Sequence, residues 1–188
     1  MGNIEYKGES LAVTTFVKGS RLPGTVNLAE PFLVVAGKKA SVAIASNDEV
    51  PVFFAVKGTL VGAAKVTLED GVEEEFAKRF HAAITQYGLR PETIEVYVGP
   101  CLTFSHTHVE RALLERLMDR GYRAACKRTD GVDFLDLPLL LLMQMRREGV
   151  KMANIHIGDY DTFENPELLH SKLRGDTENN LSVANLIA

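Results

Sequence analysis

The first third of the chain is a series of short apolar runs, rich in β-branched residues and without clean apolar–polar alternation. Ile4–Lys7 and Leu11–Lys18 come first, then Phe32–Ala36, Ser41–Ala45, Val52–Val56 and Leu60–Val66. A half-exposed strand alternates with a period of two. One that is apolar at successive positions needs cover on both faces. A chain that opens this way has to build layers on both sides of a central sheet. Gly37-Lys38-Lys39 reads as a hairpin turn between the third and fourth runs, and Lys57-Gly58 as the turn between the last two. Ser46-Asn47-Asp48-Glu49 is a polar break, and residues 21–30, with Pro23-Gly24, form a loop.

The pattern then changes to strands alternating with helices. Val72, Phe76, Phe80, Ala83, Ile84 and Tyr87 recur at helical spacing, which predicts a helix over 72–87 capped by Asp70 and stopped by Gly88. His81 lies one residue off that stripe, at a surface position. Ile94–Val98 is a strand. Thr107-x-x-Glu110 has the form of a capping box and predicts a helix over 107–120, with Val109, Leu113 and Leu117 turned inward. Tyr122–Arg128 predicts a strand, Thr129-Asp130-Gly131 a turn, and Leu137–Glu148 a third helix. Ala153–Ile157 reads as a strand in which His156 is a hydrogen-bonded core residue. The polar stretch 159–180 is loop, with a short helix at Pro166–His170, and Ser182–Ile187 is a closing strand. The fold class this implies is α+β: one domain, 1–188, of mixed sheets covered by helices.

Composition narrows the function classes. A net charge of −4 with no basic block argues against nucleic acid as the main partner. No run of about 18 apolar residues exists, so no membrane span is expected. The first residues carry no secretory core, and Tyr6 stands where a myristoylation signal needs Ser or Thr. Two cysteines, Cys101 and Cys126, make no disulfide framework, which points to a cytoplasmic setting.

Candidate chemistry concentrates between the 94–98 strand and the helix that follows. Cys101, His106 and His108 form a C-x4-H-x-H array. A thiolate and two imidazoles can ligate zinc, though the spacing matches no common zinc site. They can also make a Cys–His nucleophilic pair, and the alternative is a packed cysteine beside two solvated histidines. Asp48-Glu49 could hold a cation or perform acid–base work. Asp159 follows an apolar strand, where ligands collect, and the segment His170–Arg174 could meet an anion. No dinucleotide, P-loop or esterase motif is present.

The order of segments resembles the laccase-domain family, also called YfiH-like or multicopper polyphenol oxidase-like proteins. The segments are Ala12–Thr15 with Val26-Asn27-Leu28, Val42–Val52, Gly62–Lys65, Val98–Cys101, Gly158–Phe163, and Leu169–Arg174 through Leu186-Ile187. The resemblance implies that family's topology and a purine nucleoside phosphorylase activity with adenosine-deaminase side activity. It also implies a histidine–cysteine metal site, and here the residues depart from the pattern. The family's Gln-Val-His-Gly motif does not occur, and about 45 residues that would carry it are missing between Leu28 and Phe32, judged by the short connection left. The cysteine position reads Glu49 and the second histidine position reads Lys65. Opposite charges at those two positions would pair if close.

The expectation is a divergent family member with altered or lost metal-dependent catalysis, no resident metal, and retained binding of a purine nucleoside or phosphate. Candidate residues are Cys101, His106 and His108 for catalysis, and Asp48, Glu49, Lys65, Asp159 and Arg174 for ligand binding. The competing readings are a Cys–His hydrolase or transferase built on Cys101, and a non-catalytic interaction module. A homo-oligomer is compatible with each.

Overall fold

The computed structural model describes residues 2–24 and 26–188. Met1 and Thr25, at the chain start and inside the expected 21–30 loop, lie outside the described residues. The early apolar runs become β1 (Ile4–Lys7), β2 (Leu11–Phe16), β3 (Phe32–Ala36), β4 (Ser41–Ser46), β5 (Val50–Val56) and β6 (Leu60–Val66). Helices α1 (Leu68–Val72) and α2 (Glu75–Gln86) lead to β7 (Glu95–Val98) and α3 (Arg111–Asp119). Then come β8 (Cys126–Thr129), β9 (Val132–Leu135), α4 (Leu137–Arg147), β10 (Ile155–Ile157) and β11 (Asn180–Leu186).

Two sheets face each other. The five-stranded one has the order β10-β7-β5-β6-β3, and the four-stranded one β1-β2-β11-β4; β8 and β9 form a separate ribbon. The larger sheet is mixed, since β10 pairs parallel with β7 and the other neighbours are antiparallel. Phe53 and Ala55 of β5 point toward the four-stranded sheet, and Val52 and Phe54 toward the helices. β5 and β6 are thus covered on both faces, which is why their sequences do not alternate. Phe54 lies over Gly62 of β6, where an added Cβ would come within 2.1 Å of the ring, so only glycine fits beneath it. Phe54 then meets Phe80 of α2 edge-on at 5.1 Å.

Several local expectations are corrected. No hairpin joins β3 to β4: β3 pairs with β6 and β4 with β11. Two apolar runs around a short turn can pair side by side or enter facing layers, and the distant partners decide between these. The 72–87 helix is two helices. Thr67, not Asp70, caps α1, and Asp70 answers it as the third residue of a capping box. The break falls at Glu74, left-handed at φ 59, whose carboxylate accepts from the Tyr122 hydroxyl and pairs with Arg120 at 2.8 Å.

Thr107 does not cap α3; it closes a 3-10 turn, Phe104–His106. Its carbonyl accepts from Leu135 N at 3.0 Å and Val109 N donates to Asp133 O at 3.0 Å, so the unexpected strand β9 draws residues 107–109 into pairing. α3 starts only after Glu110. Residues 123–125 form a 3-10 turn ahead of β8, and no helix forms over Pro166–His170, where 166–168 make a turn and 169–170 are irregular. His156 is exposed, resting against the Tyr6 ring at 5.2 Å, and is not a core residue.

Candidate ligand cleft

β7 ends at Val98 close to β5. Gly99 N donates to Pro51 O at 2.9 Å, and a Cβ on Gly99 would approach the Pro51 ring to 3.0 Å. The loop beyond is sewn to the tail: Cys101 bridges Asp161, with Thr162 N donating to Cys101 O at 3.0 Å. At its far end His108 bridges Phe134 of β9. Clamped at both ends, the 101–108 loop has little freedom in how it presents its side chains.

Asp161 organises that loop. It is 3% exposed, and its Oδ1 accepts from Phe163 N at 2.7 Å and Glu164 N at 3.0 Å. Its Oδ2 accepts from Thr103 N at 2.7 Å, Thr103 Oγ1 at 2.6 Å and His106 Nδ1 at 3.1 Å. Burial alone would raise its pKa. The hydrogen bonds from Thr103, from the Glu164 backbone and from His106 outweigh burial and hold the carboxyl below its ordinary value. An ionised carboxylate only accepts, so the contact places a His106 proton on Nδ1. The imidazole rests on the Phe163 ring at 4.6 Å, and Nε2 lies 3.8 Å from Glu164 Oε1.

His106 looks into a cleft of about 380 Å³. Val50, Leu68, Leu102 and Leu137 give it an apolar floor, and Asp48, Glu49, Thr67, His108 and Lys172 stand around it. Asp48 is partly committed, accepting from Thr162 Oγ1 and from Leu173 N, each at 2.7 Å. Glu49 accepts from Asn47 N at 2.8 Å and keeps its other oxygen free of protein partners among the described residues. His108 is exposed, with its ring 4.7 Å from that of Phe134.

The remaining candidates sit elsewhere. Cys101 is buried, and burial, with the carboxylates of Asp161, Asp136 and Asp48 nearby, pushes its thiol far up. No hydrogen bond joins its sulfur to His106 or His108 among the described residues, and His106 is turned to Asp161 instead. With Asp159, Cys101 borders a separate hollow of about 490 Å³ on the other side of the loop, beside Lys127 and Tyr160. Lys65 pairs with Glu30 at 3.0 Å, not with Glu49. The Arg174 guanidinium is spent on the Thr162, Phe163 and Leu169 carbonyls and on Asp176, so it braces the tail rather than meeting a ligand.

Asp161 and Lys172 are the residues that sequence reasoning passed over. Both lie in segments it singled out, after the 155–157 strand and in the short basic stretch, but nothing local says which acid is buried or which cation faces the cleft. Among the described residues no three His, Cys, Asp or Glu side chains converge in a way that would hold a metal ion.

Residues 32–186 match the family model described as multi-copper polyphenol oxidoreductase laccase. Solved structures share the fold. Protein NMB0706 of Neisseria meningitidis aligns over 100% of both chains with a TM-score of 0.81 at 14% identity. The hypothetical protein YfiH of Bacillus licheniformis aligns over 83% of this chain with a TM-score of 0.73 at 20% identity. YlmD of Geobacillus stearothermophilus aligns over 84% with a TM-score of 0.71, also at 20% identity. This chain spans 61% of the length of each of the last two. No curated protein matches the sequence.

Proposed function

The chain belongs to the multi-copper polyphenol oxidoreductase laccase family, and from that premise we propose that it is a divergent member whose cleft binds a purine nucleoside or phosphate without a resident metal. The observation that carries this reading is the cleft's make-up, an apolar floor under a rim of carboxylates, imidazoles and one free lysine. A planar base gains by covering Leu68, Leu102 and Leu137. Lys172 offers three donors to an anionic oxygen, and the open oxygen of Glu49 accepts from ribose hydroxyls or an exocyclic amine. His106, oriented by Asp161, exchanges a proton through Nε2 with whatever atom is set before it.

The residues do not fit the copper or zinc that the family implies. Asp48 and His106 are tied to protein donors and acceptors, Glu49 and Lys65 replace softer ligands, and Cys101 faces away with a disfavoured thiolate. No step of the chemistry is therefore routed through a metal. Two measurements on purified protein test the reading. Elemental analysis is expected to find zinc and copper well below one per chain, and calorimetry with adenosine or inosine, with and without phosphate, is expected to show saturable binding. A stoichiometric metal would sink the metal-free part, and absence of binding by either nucleoside or by phosphate would sink the ligand class. Chromatography of the same mixtures shows whether bound nucleoside is turned into free base.

A further inference from the structure

β3 ends the five-stranded sheet, and its outer edge carries none of the usual protection. Its five residues, Phe32 to Ala36, include no charge and no proline, and none of them pairs on the outer side among the described residues. Register decides which backbone groups are left over. Phe32 to Ala36 oppose Ala64 to Leu60. The flanking bonds, Lys65 N to Pro31 O at 2.8 Å and Gly37 N to Thr59 O at 2.9 Å, make the odd-numbered residues those bonded inward. The N–H and C=O groups of Phe32, Val34 and Ala36 therefore face outward. Pro31 does not blunt this edge, because its missing N–H belongs to the inward set. Both faces of the strand are apolar and only half covered: Phe32 and Val34 lean on the helical side, Leu33 and Val35 on the sheet side.

We propose that this edge is the interface of a homodimer, in which β3 of two copies pairs antiparallel about a twofold axis at Val34. This register uses every outward group: Phe32 opposes the partner's Ala36, and Val34 opposes its own equivalent. Leu33 then meets the partner's Val35 across the closer, non-hydrogen-bonded spacing. The ends select the same register by charge. Glu30, exposed although paired with Lys65 at 3.0 Å, and the exposed Lys38 lie at the two ends, and the pairing sets Glu30 of each copy beside Lys38 of the other. A parallel pairing would set lysine against lysine. A groove of about 310 Å³ between β3 and α2, bordered by Phe32, Val34, Ala83 and Tyr87, receives the incoming strand's side chains. Two five-stranded sheets become one continuous sheet, and the exposed edge disappears.

Sedimentation equilibrium of the full chain tests this. The expected result is a concentration-dependent shift from one to two chain masses. Val34→Lys, which puts two ammonium groups on the axis, abolishes the heavier species. Lys38→Glu raises the dimer Kd about tenfold by setting like charges at both ends, and Glu30→Lys with Lys38→Glu brings it back. Because Val34→Lys also touches the monomer's own packing, and Glu30→Lys removes the Glu30–Lys65 ion pair, Lys38→Glu alone at its exposed position asks the same question without either cost. A chain that stays monomeric into the high micromolar range overturns the proposal, even where its edge takes up an extended peptide. A dimer indifferent to both Val34→Lys and Lys38→Glu overturns it too.

Discussion

Two buried carboxylates flank β7, and they use one device for different ends. Glu95, at the strand's start, is 7% exposed and accepts from Ser10 N at 2.7 Å, Glu9 N at 3.0 Å and the Tyr6 hydroxyl at 2.7 Å. Asp161, beside the strand's other end, is held by three backbone N–H groups in the same way. Glu95 spends its remaining capacity on a phenol, the Tyr6 hydroxyl, whose pKa burial and the carboxylate drive far up. Asp161 spends one contact on an imidazole. The first carboxylate ties the β1–β2 turn to the central sheet. The second fixes the imidazole of His106 at the wall of a cleft. Burial and backbone donors are common to both carboxylates; the side chain each one holds is what differs.

Glu95→Ala strands two backbone N–H groups and a hydroxyl, and is expected to cost about 3–5 kcal/mol in urea unfolding. Asp161→Asn keeps the shape but sets an amide against donors, with an expected loss of about 2 kcal/mol by the same measurement. Its signature is pH. The depressed Asp161 pKa contributes stability that is present above the unfolded value near 3.9 and is lost as pH falls through the folded value. The wild-type urea midpoint should therefore fall more steeply below about pH 4 than that of Asp161→Asn. An equal slope for the two proteins would remove the ionic role given to Asp161.

Tyr6→Phe deletes a single hydrogen bond to Glu95 and should cost roughly 1–1.5 kcal/mol with ligand binding intact. His106→Gln sharpens the contrast from the other side. Thermal unfolding should move by less than about 1 kcal/mol, while nucleoside affinity in calorimetry drops at least about tenfold. The smallest effect is expected at His156→Ala, within about 0.5 kcal/mol, since its exposed ring only rests on Tyr6.

Much of this fold was readable from the chain because burial on both faces leaves a plain mark. β5 and β6 and the turn between them fall where apolar runs and Lys57-Gly58 put them. α4 is as legible, with Asp136 at its cap and Pro138 in its first turn. What failed depends on distant partners. The Thr107 motif is locally sound, yet β9 claims the backbone it needs. The Gly37 turn is sound as well, yet β6 and β11 draw its two strands into different layers.

The candidate cleft was legible in part, for the same reason. His106, His108, Asp48 and Glu49 do meet in one cleft. Cys101 and Arg174 carry stronger chemical signals, but bridging and internal carbonyls use them up. Reactivity inferred from residue type has to survive what the folded backbone demands of that residue.

The place of β11 has a consequence for how the molecule is made. It lies between β2 and β4, with Leu181 opposite Phe16 on one side and Ala45 on the other. A ribosome delivers β2 and β4 first, and about 130 further residues separate Ser46 from Asn180, an interval on the order of ten seconds at ordinary elongation rates. Throughout that interval the two strands cannot pair with their final neighbour, and Phe53, Ala55, Val61 and Ala63 lack their complete cover. Asp161 and Lys172 also emerge inside this window. The core between the two sheets is thus closed, and the cleft finished, only after residue 186 has left the exit tunnel.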